Sequence, residues 1–147
     1  MSLDNGIIFT TAQSAGTGNV IPLLHEIRHA LARLWEQQEE TVIDLRRIPL
    51  NADEEIRLST FLGTGEVQAT INAAGLTEIQ ETSYSGVWIE THHNSDGEIL
   101  GKYISVSIVP AMLRAQPEEI QSSSTQINAD LQHLSDSREA VSNPTDL

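Results

Sequence analysis

The sequence predicts an α+β domain: a two-layer sandwich in which two helices cover one face of a mostly antiparallel, four- to five-stranded sheet, with a short C-terminal helix after it. Three observations carry this expectation. Two stretches before residue 63 repeat apolar residues at helical spacing. From residue 66 to 109 the pattern becomes alternation, as in strands whose side chains switch faces at every residue. Short turns join those later runs, so they pair antiparallel, while the one earlier strand needs a helical crossover to reach its neighbour.

Residues 1–18 are small and polar apart from Ile7-Ile8-Phe9, and read as a flexible N-terminal arm. Asn19 is placed to cap the first helix, with Pro22 in the first turn, where a missing N–H costs little. Leu24, Ile27, Leu31, Leu34 and Trp35 form its apolar stripe, and Glu36 to Glu40 close it. Thr41 to Leu45 is a short strand, after which Pro49-Leu50-Asn51 breaks the chain. Asn51 and Glu54 have the spacing of a capping box, and Asp53, Glu54 and Glu55 suit the positive end of a helix dipole. That second helix carries Ile56, Phe61 and Leu62 and ends at Gly63. Val67, Ala69 and Ile71 alternate with Glu66, Gln68 and Thr70, and Ala73-Ala74-Gly75 turns the chain.

Leu76–Thr82 and Gly86–His92 follow as strands around a bend at Tyr84-Ser85-Gly86. The stretch from Ile79 to Val109 forms a hairpin about Asn94-Ser95-Asp96-Gly97, where glycine accepts the positive φ of a tight turn. Pro110 opens a short helix that Pro117 stops. Ile127, Leu131 and Leu134 lie on one side of a weak helix in an acidic, serine-rich remainder. The expected organisation is an arm over 1–18, a domain over 19–120, and a largely disordered polar tail over 121–147. The sheet face away from the helices is expected to carry Glu66, Gln68, Glu78, Gln80 and Glu90 and to meet solvent or a partner.

Acidic residues number 21 against 8 basic ones, a net charge of −13. Nucleic acid is an improbable partner, because phosphates would be approached against the protein's own field. No apolar run reaches the roughly 18 residues of a membrane span, so no membrane insertion is expected. No secretory signal is read at the N-terminus. Without cysteine the chain has no disulfide, thiolate nucleophile or cysteine metal site.

One stretch points to metal chemistry. His25-Glu26-Ile27-Arg28-His29 has the His-Glu-x-x-His spacing that puts two zinc ligands on one helical face, with the glutamate as general base. Ala32 and Trp35 stand where the longer signature needs glycine and a third histidine, so the expected assignment is no metal. Glu66, Glu78, Glu81 and Glu90 read as a solvated sheet face rather than catalytic carboxylates. The glycine-rich turns at Ala15–Gly18 and Gly63–Gly65 lack a phosphate-loop continuation. Trp88 beside Tyr84 suits either sheet packing or a partner anchor.

Three stretches in order, Leu62-Gly63-Thr64-Gly65-Glu66-Val67, Ile79-Gln80-Glu81-Thr82 running to Gly86-Val87-Trp88, and Ile108-Val109-Pro110 running to Gln116-Pro117-Glu118-Glu119-Ile120, resemble a known family. Together with Pro22–Ile27 and Ile43-Asp44-Leu45, they make residues 20–120 similar to the C-terminal region of the HupH/HyaF hydrogenase expression/formation proteins. The resemblance implies a cytoplasmic, non-enzymatic accessory protein without a cofactor. Its implied role is maturation of uptake [NiFe]-hydrogenase, by binding the iron–sulfur small-subunit precursor, with its twin-arginine signal peptide, before export. Other maturation factors are further implied partners; whether the chain acts alone, as a homo-oligomer or beside a full-length member is left open by its single copy of the region. Many members are longer and carry more than one copy of the region. With no catalytic motif to carry over, Gly63, Gly65, Glu66, Glu81, Gly86 and Trp88, with Tyr84 beside them, form a candidate recognition surface. The alternatives are a zinc-dependent peptidase or hydrolase built on His25 and His29, or an interaction subunit of an unrelated complex.

Overall fold

The structure, a computed structural model, describes residues 16–142 of the 147. Ile7-Ile8-Phe9 and the last five residues lie outside the described residues. The elements are α1 (Val20–Gln37), β1 (Thr41–Asp44), a 3₁₀ turn at Leu45–Arg47, α2 (Ala52–Leu62), β2 (Gln68–Asn72), β3 (Leu76–Glu81), β4 (Val87–His93), β5 (Ile99–Val106), a 3₁₀ turn at Ala111–Leu113, and α3 (Pro117–Ser142). The chain divides into two units, one ending at Pro110 and one beginning at Ala111.

The first unit is the α+β sandwich the sequence predicts. Its sheet runs β1-β5-β4-β3-β2, and every neighbouring pair is antiparallel. The β1-to-β2 connection carries α2 from one edge of the sheet to the other. Leu23, Ile27 and Ala30 of α1 and Leu58 and Leu62 of α2 pack on Ile43, Val87, Ile104 and Val106. Burial of these side chains, at about 1.5–3 kcal/mol each, supplies most of the drive for the layer to form. Trp35 falls outside this core at 82% exposed, because the stripe that faces the sheet ends at Ala30 and the half-buried Leu31 and Leu34.

Register explains how one sheet face can be apolar and polar at once. Ile43, Ile104, Ile89, Gln80 and Gln68 are successive partners across the strands and share the helix-covered face. Their apolar members lie on β1, β5 and β4 under the helices, and the glutamines lie on β3 and β2. The next row, Asp44, Tyr103, Glu90, Ile79 and Ala69, points to the opposite face. That face is not the wet polar surface expected. Glu78 and Gln80 belong to the helix side, whereas Ile79, Trp88, Glu90 and Ser105 are buried on the far side.

The hairpin turn forms as its sequence implies. Gly97 has φ +85°, and its N–H donates to the Asn94 carbonyl at 3.1 Å. The Asn94 Oδ1 accepts from the N–H groups of Asp96 and Glu98 at 2.8 and 2.9 Å.

In the second unit, Pro117 starts a helix instead of stopping one. Proline at the first helical position loses only an N–H that has no partner there, so the same residue serves either role. The short helix expected after Pro110 is a single 3₁₀ turn, and residues expected in a disordered tail continue α3 to Ser142. No described helix is long and apolar enough to cross a membrane.

Candidate functional site

Two helix N-termini are tied together by one carboxylate. Asn51 and Glu54 form the predicted capping box, with Glu54 N–H donating to Asn51 Oδ1 at 2.8 Å and Asn51 N–H donating to Glu54 Oε1 at 3.0 Å. The same carboxylate accepts the N–H groups of Thr17 at 3.1 Å and Gly18 at 3.2 Å, just ahead of α1. Asn19 therefore caps nothing with its side chain; its Nδ2 donates to the Pro49 carbonyl at 2.8 Å. Thr17 and Gly18, expected in the arm, are pinned by this network. The backbone N–H of Asn51, then that of Thr17, hold the Glu54 pKa below its ordinary value, with smaller help from the Thr17 hydroxyl and the Gly18 N–H, against an opposing effect of burial.

A depressed carboxylate pKa stabilises the fold above the unfolded-state value and loses that contribution as pH falls through the folded-state value. Glu54→Gln is therefore expected to flatten the acid limb of the stability-versus-pH curve, with its largest deficit at neutral pH. Urea melts at stepped pH check this, and parallel curves for variant and parent would contradict it.

From that tie, α1 and α2 run on to flank an open groove of about 430 Å³. Ile21, Leu24, His25, Arg28 and Leu31 form the α1 wall, and Phe61, Leu62 and Tyr84 form the other. Ile21 is 54% exposed, Phe61 55% and Tyr84 43%, so the groove is apolar surface left open. The Phe61 and Tyr84 rings stack at 5.8 Å with 12° between planes.

The motif residues explain why that wall stands where it does. Gly63 has φ +67° and ψ −168°, and the Ser83 N–H donates to the Leu62 carbonyl at 2.8 Å, fixing the end of α2 to the bend after β3. Gly65 N–H donates to the Glu81 carbonyl at 2.7 Å. The Glu81 Oε1 accepts the N–H groups of Glu66 and Val67 at 3.1 and 3.2 Å. Tyr84 N–H donates to Thr82 Oγ1 at 3.1 Å, which sets the bend. Gly86, at φ +93°, passes beneath Leu31 and Leu34.

Thus Gly63, Gly65, Glu66 and Glu81 gather at one turn, and Tyr84 stands beside it on the groove. In this group Glu81 and the glycines are bound up in the backbone, while the Glu66 side chain is exposed. Trp88 lies on the opposite sheet face, 6% exposed, its Nε1–H donating to the Ser107 carbonyl at 3.0 Å. It is a packing residue, not an anchor beside Tyr84. Sequence reading missed Ile21, Arg28 and Phe61 as wall residues. Their only signal is that Ile21 and Phe61 are apolar residues in excess of the buried stripes.

His25 and His29 are both exposed on α1, and His25 lines the groove wall with Leu24 and Ile27. His29 Nε2 lies 3.2 Å from an Arg28 guanidinium nitrogen. Among the described residues no group of three His, Asp or Glu side chains is placed to hold a metal ion. His92 Nδ1 sits 3.0 Å from Thr77 Oγ1, and His93 Nδ1 sits 3.1 Å from the Leu76 carbonyl, both at strand-pairing positions.

Comparison with known proteins shows what these elements are shared with. A family model described as "HupH hydrogenase expression protein, C-terminal conserved region" matches residues 17–134. The chain is 33% identical over 102 residues to the hydrogenase expression/formation protein HoxQ of Azotobacter vinelandii, covering 69% of this chain and 35% of that protein. It is 27% identical over 113 residues to hydrogenase expression/formation protein HupH of Rhizobium leguminosarum bv. viciae, covering 77% and 40%. It is 38% identical over 79 residues to the hydrogenase-1 operon protein HyaF of Escherichia coli (strain K12), covering 52% and 27%. The chain thus spans well under half the length of these relatives. Among solved structures, the hydrogenase expression protein HupH from Thiobacillus denitrificans superposes with TM-score 0.77 at 31% identity, over 81% of this chain and 99% of that one.

Proposed function

The chain belongs to the HupH hydrogenase expression protein family, by that family's C-terminal conserved region, and from this premise we propose that it is a non-enzymatic accessory protein of hydrogenase maturation. Its client is the precursor of the iron–sulfur small subunit, held in the cytoplasm before export. The observation that carries the proposal is the open groove between α1 and α2, lined by half-buried Leu24 and by Ile21, Phe61 and Tyr84, which are exposed. A signal peptide presents an apolar stretch behind a basic one. The apolar stretch matches the groove, and the net charge of −13 attracts the basic one. Neither contact requires a reaction.

The test is co-purification of the chain with small-subunit precursor carrying or lacking its leader. Leader-dependent capture is expected. Phe61→Ser with Ile21→Ser is expected to weaken capture about a hundredfold, since losing roughly 1.5 kcal/mol of apolar contact per side chain, about 3 kcal/mol for the pair, corresponds to about that factor. Both residues are more than half exposed, so the fold should survive their loss. Equal capture of both precursor forms, or by both chains, would contradict the proposal.

A further inference from the structure

α3 carries an apolar seam along its length. Ile120, Ile127, Leu134 and Val141 stand seven residues apart on one 26-residue helix, with Leu131 between two of them. All five are more than half exposed. A strict seven-residue repeat is the period of a helix that winds around another helix of the same repeat, and not the 3.6-residue period of a helix lying on a sheet. The helix is also poorly disposed to stand alone. Ser122 to Thr125, Asn128 and Asp130 are weak helix formers, and Ser122, Thr125 and Ser135 turn their hydroxyls back to carbonyls one turn earlier, at 3.0, 3.2 and 3.1 Å. Helices of such composition are held by burial of an apolar face.

Charge placement says what buries it. If Ile120, Ile127, Leu134 and Val141 are taken as the d positions, the flanking e and g positions read Gln121, Ser123, Asn128, Asp130, Ser135 and Ser137. Uncharged flanks let two strongly acidic chains approach along this line alone. The one exception, Asp130, has its carboxylate engaged by Gln126 Nε2 at 2.8 Å, one turn toward the outer side. Glu118 and Glu119 mark one end of the seam, and Arg138, the helix's single arginine or lysine, lies near the other between Asp136 and Glu139. Two copies laid antiparallel bring each Arg138 toward the partner's Glu118 and Glu119.

We propose that the partner of this seam is a second copy of the chain, and that α3 joins two molecules as an antiparallel helical pair. The residues that pack the sandwich core and line its groove all precede Ala111.

Sedimentation equilibrium on the full chain over a range of micromolar concentrations tests this. The expected species has twice the 16.1 kDa chain mass. Ile127→Glu with Leu134→Glu should sediment as a single chain over the same range, with near-ultraviolet dichroism of the sandwich unchanged. Asp136→Ala, off the seam, should remain dimeric. Single cysteines in this cysteine-free chain report orientation: Glu119→Cys mixed with Arg138→Cys should cross-link to each other faster than either does to itself. A parent chain that is monomeric throughout, or a Glu-substituted seam that still dimerises, would overturn the proposal. So would self-cross-linking that outpaces the mixed pair.

Discussion

Trp88→Ala is expected to lower the stability of the fold by about 3–5 kcal/mol, a large part of a small domain's total. Trp88 is 6% exposed, opposite Glu81 on β3 and Ser105 on β5. Its indole also donates to the Ser107 carbonyl, so removal leaves a cavity and a buried acceptor short of its partner. Trp88→Phe keeps much of the volume but not the N–H, and is expected to fall between parent and alanine variant. Urea unfolding measures both. An alanine variant as stable as the parent would mean that Trp88 is surface, and would reopen its role as a partner anchor.

Gly63→Ala is expected to cost about 2–4 kcal/mol. The residue sits at φ +67°, ψ −168°, a region essentially reserved for glycine, where other residues are penalised by about 1–3 kcal/mol. An added Cβ would also collide with Ser83 Oγ and stand 3.1 Å from Ser83 Cβ. The two contributions can be separated. Ser83→Gly removes the contact but not the dihedral penalty, so it should rescue Gly63→Ala only in part. Full rescue would show that the conformation itself carries no strain; no loss in the single variant would show that the turn relaxes freely. Because Gly63 sets the end of α2, the same variant is expected to disturb the Phe61 side of the groove.

What the sequence disclosed follows from the range over which each signal acts. The Asn94–Gly97 turn, the Asn51–Glu54 capping box and the glycines at 63 and 86 were legible because a few adjacent residues decide them. The antiparallel sheet followed from alternation and short turns. Which face of each strand would be covered did not. Period-two patterning cannot tell that Gln80 shares a face with Ile89 while Ile79 and Trp88 are buried behind it. Pro117 was ambiguous in principle, since proline suits both sides of a helix boundary. The bond from Glu54 to Thr17 and Gly18 spans more than thirty residues and leaves no local trace.

The candidate site was legible in part. Tyr84 stands on the groove, and Gly63, Gly65 and Glu81 build its support; Trp88 faces elsewhere. The residues that matched a family are thus mainly those that hold the turn together, and a motif of this kind marks a fold more directly than a contact surface. The wall itself is made by Ile21, Leu24 and Phe61, whose exposure depends on how far apart two helices stand.

The most direct measurement is titration of an isotope-labelled chain with a peptide spanning the small-subunit precursor's leader, followed by amide and methyl chemical shifts. Saturable shifts are expected at Ile21, Leu24, Arg28, Phe61 and Tyr84, with little change along the β2 edge. Shifts confined to the β2 edge, or absent altogether at concentrations where the intact precursor is captured, would contradict the groove as the site where the client is held.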